Sequence, residues 1–474
     1  MLLHTPLYLL FLLTAAGLYW VIPAGQWRKF LLLGASLVFY AAFDWRFLLL
    51  LGTVILATYW IGAALPVFAQ PRRLVWLGVA FNLGVLGIFK YGGFFLESAR
   101  QAMNALNVPL GASAALNFFL PVGISFYTFQ AISYTTGIYQ KKIQPAGLVD
   151  FALYMAFFPK LIAGPIVQPK VFLEKTGAHA TSLAPEKIQR ALGLLISGLI
   201  KKLILADSLA SLADVAFRAA GLNSPGFPSP LYLQGFYLYA IQIYADFSGY
   251  TDLARGSALL LGIDLPENFR QPYLASSLTI FWNRWHMSLT QWFREMLFFP
   301  LSRAWLRATR RRFPRLVQVS VTLVTFLLIG LWHGAGWTFI AWGAWHGILL
   351  SLEHVLNIQP TPRMSGWLGG LVTFHLVGLG WVLFRSESFT AAGRFLQGML
   401  AFQQMEWMGV FLPPVLAALG LSFALDVLAT GLVRLPGGKF RHVLVVSLLV
   451  LLIGLALLDL ARGGDVRPFI YGQF

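Results

Sequence analysis

This sequence predicts an all-α polytopic membrane protein, and three observations predict it. Of its 474 residues 58% are hydrophobic and only 11% are charged, and the mean hydropathy is +0.70. Apolar runs long enough to cross a bilayer recur from one end to the other. The basic residues sit mostly in the short breaks between those runs, as the positive-inside bias requires. The chain is read as a single transmembrane domain over residues 1–474.

The elements follow in order. Leu7–Ile22 lacks a basic n-region and a cleavage site, so it reads as a mature span. Arg28 and Lys29 follow it, the turn Asp44-Trp45-Arg46 is nearly balanced, Arg72 and Arg73 come next, and the uncharged stretch Ala105–Asn117 precedes a run ending at Lys141 and Lys142. Met1–Leu10 holds no Lys or Arg, so this alternation puts the N-terminus outside. The segment Phe157–Pro165 carries two prolines and Lys160 inside apolar sequence, which predicts an interrupted or re-entrant helix. A Gly/Pro/Ser loop at Gly221–Pro230 leads into Leu231–Gly262, whose Asp246, Asp252 and Arg255 should face the protein interior in pairs. Further runs are Val317–Trp332, Trp337–Leu352, Trp367–Phe384, Phe411–Leu432 and Val443–Leu460, for about eleven transmembrane helices plus re-entrant or interfacial ones.

Charge and composition exclude several functions. The net charge of +17 resides in membrane-proximal loops, so it argues for contact with anionic lipid headgroups and against nucleic acid. The largest basic cluster, Arg303–Arg315, reads as a cytoplasmic topology anchor, with contact to a phosphate-bearing donor as the alternative. The absence of cysteine removes disulfides and any acyl-cysteine intermediate. No His-Glu-x-x-His and no Walker sequence occurs, and no metal site is expected.

Candidate chemistry centres on Leu-Trp-His-Gly-Ala-Gly-Trp at Leu331–Trp337. A histidine at the end of a long apolar run is costly in a membrane and therefore points to function. His333 lies 18 residues beyond Arg315, about 27 Å along a helix. A neutral imidazole there can act as general base on a hydroxyl, or it can serve as a packing histidine between helices. Gly334 and Gly336 would let a substrate approach the backbone. His346, His354 and His375 read as packing residues. The stretch Phe281–Phe298, taken as one helix, puts Trp282, Trp285, Leu289, Trp292, Phe293 and Met296 on one face. Asn283, His286, Thr290 and Arg294 take the other, suited to lining a donor cavity, with Arg284 or Arg294 near phosphates. An interfacial helix is the alternative reading, and Asp246, Asp252 and Arg255 keep a secondary transporter open.

Several motifs occur in order along most of the chain: LPVGISFYTFQAISYTTGIY (Leu120–Tyr139), FPKLIAGPIVQ (Phe158–Gln168), YADFSGYTD (Tyr244–Asp252), PENFRQPY and FWNRWHMSLTQWFRE (within Pro266–Pro300), GLWHGAGWTFIAWGAWHG (Gly330–Gly347), FRSESFTAAGRFLQGM (Phe384–Met399) and PFIYGQF (Pro468–Phe474). In these the chain resembles the bacterial membrane-bound O-acyltransferases, in the branch of the alginate O-acetyltransferase membrane subunit. The resemblance implies a ring of tilted helices with two opposed funnels meeting near a catalytic histidine, which His333 matches. His286 matches the family's second histidine, and Trp282, Asn283, Arg284, Trp285, Thr290, Arg294 and Trp332 fall in the expected donor-binding region. The implied reaction passes an acetyl group from cytoplasmic acetyl-CoA, a substrate and not a bound cofactor, to an extracytoplasmic exopolysaccharide or cell-wall glycan. The route implied is through an SGNH-type partner, in a bacterial cytoplasmic (inner) membrane. Departures at Arg294-Glu295-Met296 and Pro300-Leu301-Ser302-Arg303, with a likeness to the teichoic acid D-alanyl transfer protein, leave D-alanyl transfer from a carrier-protein thioester as the alternative.

Overall fold

A computed structural model describes residues 1–108, 120–176, 183–224, 226–358 and 365–431, with scattered positions beyond that include Phe469 and Ile470. The described residues form helices and connecting turns with no strand. The chain separates into two compact units, residues 1–188 with 257–265, and residues 189–256 with 266–474. Among the described residues, four helices are long and apolar enough to cross a membrane, Arg46–Ala64, Pro71–Ala105, Pro314–His333 and Gly366–Arg385, and a shorter apolar helix spans Pro6–Val21. The expected run at Val443–Leu460 and the motif at Pro468–Phe474 lie largely outside the described residues, as does most of the loop Ala105–Asn117.

The first unit begins with α1 (Pro6–Val21), α2 (Gln26–Ala41), α3 (Arg46–Ala64), α4 (Pro71–Leu86) and α5 (Gly92–Ala105). A π-type turn at Gly87–Tyr91 joins α4 to α5. Thr5 caps α1, with its side chain accepting from the Tyr8 N–H, and Pro6 follows where the missing donor costs nothing. Next come α6 (Ile124–Tyr139), α7 (Leu148–Ala156), the single-turn α8 (Phe158–Leu161) and α9 (Pro169–Thr176). The expected interruption falls at Phe157, whose ψ of 109° leaves the helical region. Lys160 is fully buried there. Its Nζ donates to Gln130 Oε1 at 2.6 Å and to the Tyr154 carbonyl, and it stands 4.6 Å above the Tyr154 ring. The broken backbone is thus covered by protein, which is the condition for its survival at membrane depth. Gly123, at φ +79°, ends the preceding loop where a Cβ would lie 2.5 Å from the Leu161 carbonyl.

The remaining helices are α10 (Pro185–Leu199), α11 (Asp207–Leu222), α12 (Ser229–Leu260), α13 (Leu278–Trp282), α14 (Met287–Phe293), α15 (Phe299–Ala308), α16 (Pro314–His333), α17 (Trp337–Val355), α18 (Ser365–Arg385), α19 (Phe389–Leu400) and α20 (Met408–Gly431). A seven-residue π-type turn, Ile200–Ala206, separates α10 from α11. The predicted continuous helix over Phe281–Phe298 is not what forms. It breaks at Asn283–His286 between α13 and α14, and a π-type turn at Arg294–Phe298 precedes α15.

The hairpin of α16 and α17 is the scaffold for the site. A Cβ on Gly330 would lie 2.3 Å from the Phe339 carbonyl oxygen, and one on Gly343 would lie 2.2 Å from that of Phe326. Only glycine permits this approach of the two backbones. The close packing sets His333, the last residue of α16, against Trp342 of α17.

Candidate functional site

His333 is 2% exposed. α16 stops there because Gly334 turns to extended backbone, φ −157° and ψ 146°. The imidazole is enclosed by rings: Trp332 with centroids 4.8 Å apart, Trp342 at 5.0 Å and 87°, and Phe384 at 5.3 Å and 73°. Such edge-to-face contacts fix a ring's orientation without donating to its nitrogens. The space expected at Gly334 for a substrate is taken by the chain itself, since a Cβ there would lie 2.2 Å from the Phe339 ring.

His286 is fully buried and occupies the N-cap of α14 at φ 42°, ψ 52°. Left-handed backbone is uncommon for a residue with a Cβ and signals strain held by its surroundings. The bracing comes from the PENFRQ stretch. Met287 N–H donates to the Asn268 carbonyl at 3.0 Å, Ser288 N–H donates to Asn268 Oδ1 at 3.1 Å, and Arg270 N–H donates to the Arg284 carbonyl at 3.0 Å. The His286 ring meets Phe247 at 4.7 Å and Trp332 at 6.1 Å. Trp332, 5% exposed, therefore touches both histidines.

The broken helix redistributes the expected faces. Asn283, Thr290 and Arg294 do line a cavity, of about 620 Å³, together with Trp282, Thr325, Glu353 and others. Arg294 Nη2 donates to Asn283 Oδ1 at 2.8 Å. His286, placed by the helical wheel on that same polar face, is instead turned into the interior by its left-handed backbone. Trp285, grouped with Trp282, is fully buried among Phe281 at 5.6 Å and Trp381 at 5.0 Å, so it serves as packing. Arg284 is half-buried, and its carbonyl receives the Arg270 N–H. Trp282 borders the cavity and also meets Trp342 at 5.8 Å and His346 at 5.2 Å. Rings thus run without interruption from the cavity wall through Trp342 to His333.

Glu353 of α17 was not foreseen. It is 8% exposed, and its carboxylate accepts from Leu278 N–H at 2.8 Å and Thr279 N–H at 3.1 Å. It thereby satisfies the orphan donors at the start of α13 and fixes Trp282. An acidic residue in an apolar run was the available signal.

The interior charges are paired, as expected. Asp246 Oδ1 lies 2.9 Å from Lys202 Nζ, and Asp252 Oδ2 lies 3.1 Å from Lys201 Nζ and accepts from Ser197 Oγ at 3.0 Å. Arg255 reaches Glu267 at 3.4 Å, and Arg270 reaches it at 3.0 Å. Burial pushes the Glu267 carboxyl up, but Arg270 and Arg255 together outweigh it and hold the group below its ordinary range. The lysine partners were missed, though Lys201-Lys202 inside apolar sequence is itself a signal.

Comparison with known proteins gives this geometry its context. The family model described as "MBOAT, membrane-bound O-acyltransferase family" matches residues 43–367. The probable alginate O-acetylase AlgI of Pseudomonas aeruginosa is 39% identical over 399 residues, which cover 83% of this chain and 73% of that protein. The peptidoglycan O-acetyltransferase of Helicobacter pylori is 32% identical over 447 residues, covering 84% of this chain and 80% of that protein. The teichoic acid D-alanyltransferase of Streptococcus thermophilus is 28% identical over 293 residues, covering 58% and 69%. With the family model spanning most of the sequence, and both histidine-bearing segments inside the matched region, this chain belongs to the membrane-bound O-acyltransferase family.

Proposed function

We propose that this enzyme moves an acetyl group from cytoplasmic acetyl-CoA to a hydroxyl on an extracytoplasmic polysaccharide, directly or through an SGNH-type partner, with His333 as general base. The supporting observation is the enclosure of His333 by aromatic rings at the end of α16, joined through Trp342 and Trp282 to the cavity of about 620 Å³. A neutral imidazole at this position can take the acceptor's proton. The hydroxyl oxygen then bonds to the carbonyl carbon, the C–S bond breaks, and the departing thiolate receives the proton from His333.

Sidedness follows from the basic cluster Arg303–Arg315 next to the start of α16, which favours the cytoplasm. The donor cavity includes Gln318 and Thr322 near that end, and Arg294 there suits the phosphates of the donor. On the same bias we read the N-terminus as outside, and the family resemblance implies a bacterial inner membrane and about eleven transmembrane helices in a ring around two opposed funnels. His286 orients the site through Trp332 rather than contacting the donor. The closer and longer likeness to O-acetylases favours acetyl over D-alanyl as the transferred group. The test is thioester turnover by purified protein in vesicles with radiolabelled acetyl-CoA. Turnover by the wild type and its loss in a folded His333→Ala variant support the reading. No turnover by the wild type with acetyl-CoA, but turnover with a D-alanyl carrier-protein thioester, replaces the donor.

A further inference from the structure

Two cavities of opposite chemistry lie along α1 and α2, within the first unit. One is a recess of about 20 Å³ at the α1–α2 turn, and its wall includes Tyr19, Arg28, Lys29 and Leu32. The other is a groove of about 370 Å³ lined by Leu7, Leu10, Phe11 and Leu18 of α1 and by Leu31 and Ala35 of α2. Leu18 precedes Tyr19 and Leu31 precedes Leu32, so on both helices the groove takes over where the recess stops. From Leu18 back to Leu7 it follows α1 for about 16 Å at 1.5 Å per residue. That is the depth of one leaflet, half of a hydrocarbon core about 30 Å thick.

The recess is cationic: the charged residues among those that line it are Arg28 and Lys29. Arg28 is 6% exposed, and its guanidinium carbon stands 4.9 Å from the Tyr19 ring and 5.0 Å from the Trp20 ring. Its Nε donates to the Ile22 carbonyl at 2.8 Å. Two rings and a carbonyl thus hold the fork in place, and a pre-organised guanidinium loses little freedom on meeting a phosphate. Lys29 is committed to Asp150 at 2.6 Å, which leaves the choice of ligand charge to Arg28. A recess of about 20 Å³ holds a group the size of one water. It therefore admits a phosphate oxygen and excludes a sugar ring or a nucleotide. The neighbouring Trp27 is exposed, as a tryptophan at headgroup level is. In the groove, Thr14 donates to the Leu10 carbonyl at 2.9 Å, so its hydroxyl is satisfied within α1 and the wall offers apolar contact.

We infer that the α1–α2 hairpin holds one anionic phospholipid, with its phosphodiester at Arg28 and one acyl chain along the groove. A basic pocket between transmembrane helices recognises an anionic headgroup, and the length of the groove matches a chain of the leaflet that the α1–α2 turn faces. Inorganic phosphate would use the recess alone. No residue of the acyl-transfer reading takes part.

The experiment uses the full-length protein in a neutral detergent. Lipid retention is read by native mass spectrometry during titration with dioleoyl phosphatidylglycerol, dioleoyl phosphatidylcholine or inorganic phosphate. Expected is one retained phosphatidylglycerol, bound about fivefold more strongly than phosphatidylcholine, and no comparable retention of inorganic phosphate. Arg28→Gln should weaken phosphatidylglycerol about fivefold and leave phosphatidylcholine unchanged, and Arg28→Lys should restore part of the preference. Ala35→Phe, at a half-buried position on the groove wall, should weaken both lipids. It keeps Arg28 in place, so it tests the groove even where an Arg28 variant fails to fold. Equal retention of the two lipids by the wild type, or a preference that survives Arg28→Gln, overturns the headgroup assignment. Inorganic phosphate held as strongly as phosphatidylglycerol, or both lipids unaffected by Ala35→Phe, overturns the acyl-chain groove. Retention is read without any acyl donor, so failure of His333 as the base would leave this result untouched.

Discussion

The imidazole of His333 stands edge-on to the indole of Trp342, with centroids 5.0 Å apart and planes at 87°. The same indole lies 5.0 Å from His346, so one tryptophan orders both histidines of the repeated Trp-His-Gly. This arrangement makes His333 chemically replaceable without loss of packing. His333→Gln should keep its thermal transition close to wild type while acyl transfer falls by about 10²–10⁴, as measured by ester formation from labelled donor.

His286 is held at φ 42°, and that position discriminates among substitutions. Asparagine tolerates left-handed backbone better than alanine. His286→Ala, which also deletes the buried ring against Phe247 and Trp332, should lose about 1–3 kcal/mol of stability, and His286→Asn less. Both should lower turnover by disturbing Trp332. Unfolding in detergent read alongside turnover separates the two effects.

The α16–α17 hairpin depends on glycine at its contact. Gly343→Val would force a side chain into the Phe326 carbonyl, 2.2 Å from a Cβ. A loss of about 1–3 kcal/mol or more is expected, together with loss of transfer. Gly393→Ala, inside α19 where nothing lies within 4 Å, should leave transfer unchanged and raise stability by up to about 1 kcal/mol.

Lys202 and Asp246 are both nearly inaccessible, with side chains 1% and 3% exposed. Lys202→Met strands a buried carboxylate and should cost about 3–5 kcal/mol. Adding Asp246→Asn should recover part of that loss, because the more deeply buried of the two carboxylates paired with Lys202, Asp246 rather than Asp207, no longer carries a charge. A double-mutant cycle on thermal unfolding checks the coupling.

Glu267 carries a pH dependence. Its folded-state carboxyl lies below the ordinary range, so its pairing stabilises the protein above its unfolded value of about 4.3 and is lost as pH falls through the lower folded value. The wild type should thus lose more stability than Glu267→Gln between about pH 5 and pH 3. The difference should be small, because the carboxyl is 40% exposed.

The helical membrane class, the interruption at Phe157 and the interior pairing of Asp246, Asp252 and Arg255 were all legible in the sequence. Hydropathy, proline and the cost of a charge in an apolar run are local properties, and they act on a segment wherever it ends up. The position of His286 was not legible. A helical wheel assumes unbroken 100° steps, and the break at Asn283–His286 comes from Asn268 and Glu353, which bind the backbone from far along the chain. The lysine partners of Asp246 and Asp252 likewise come from another helix. Phe339 filling the space at Gly334, and Phe384 standing against the His333 ring, were decided only when α16, α17 and α18 packed. The reason is physical: hydropathy is a property of each residue with its solvent, whereas a cavity wall is a property of which side chains the fold leaves facing one another.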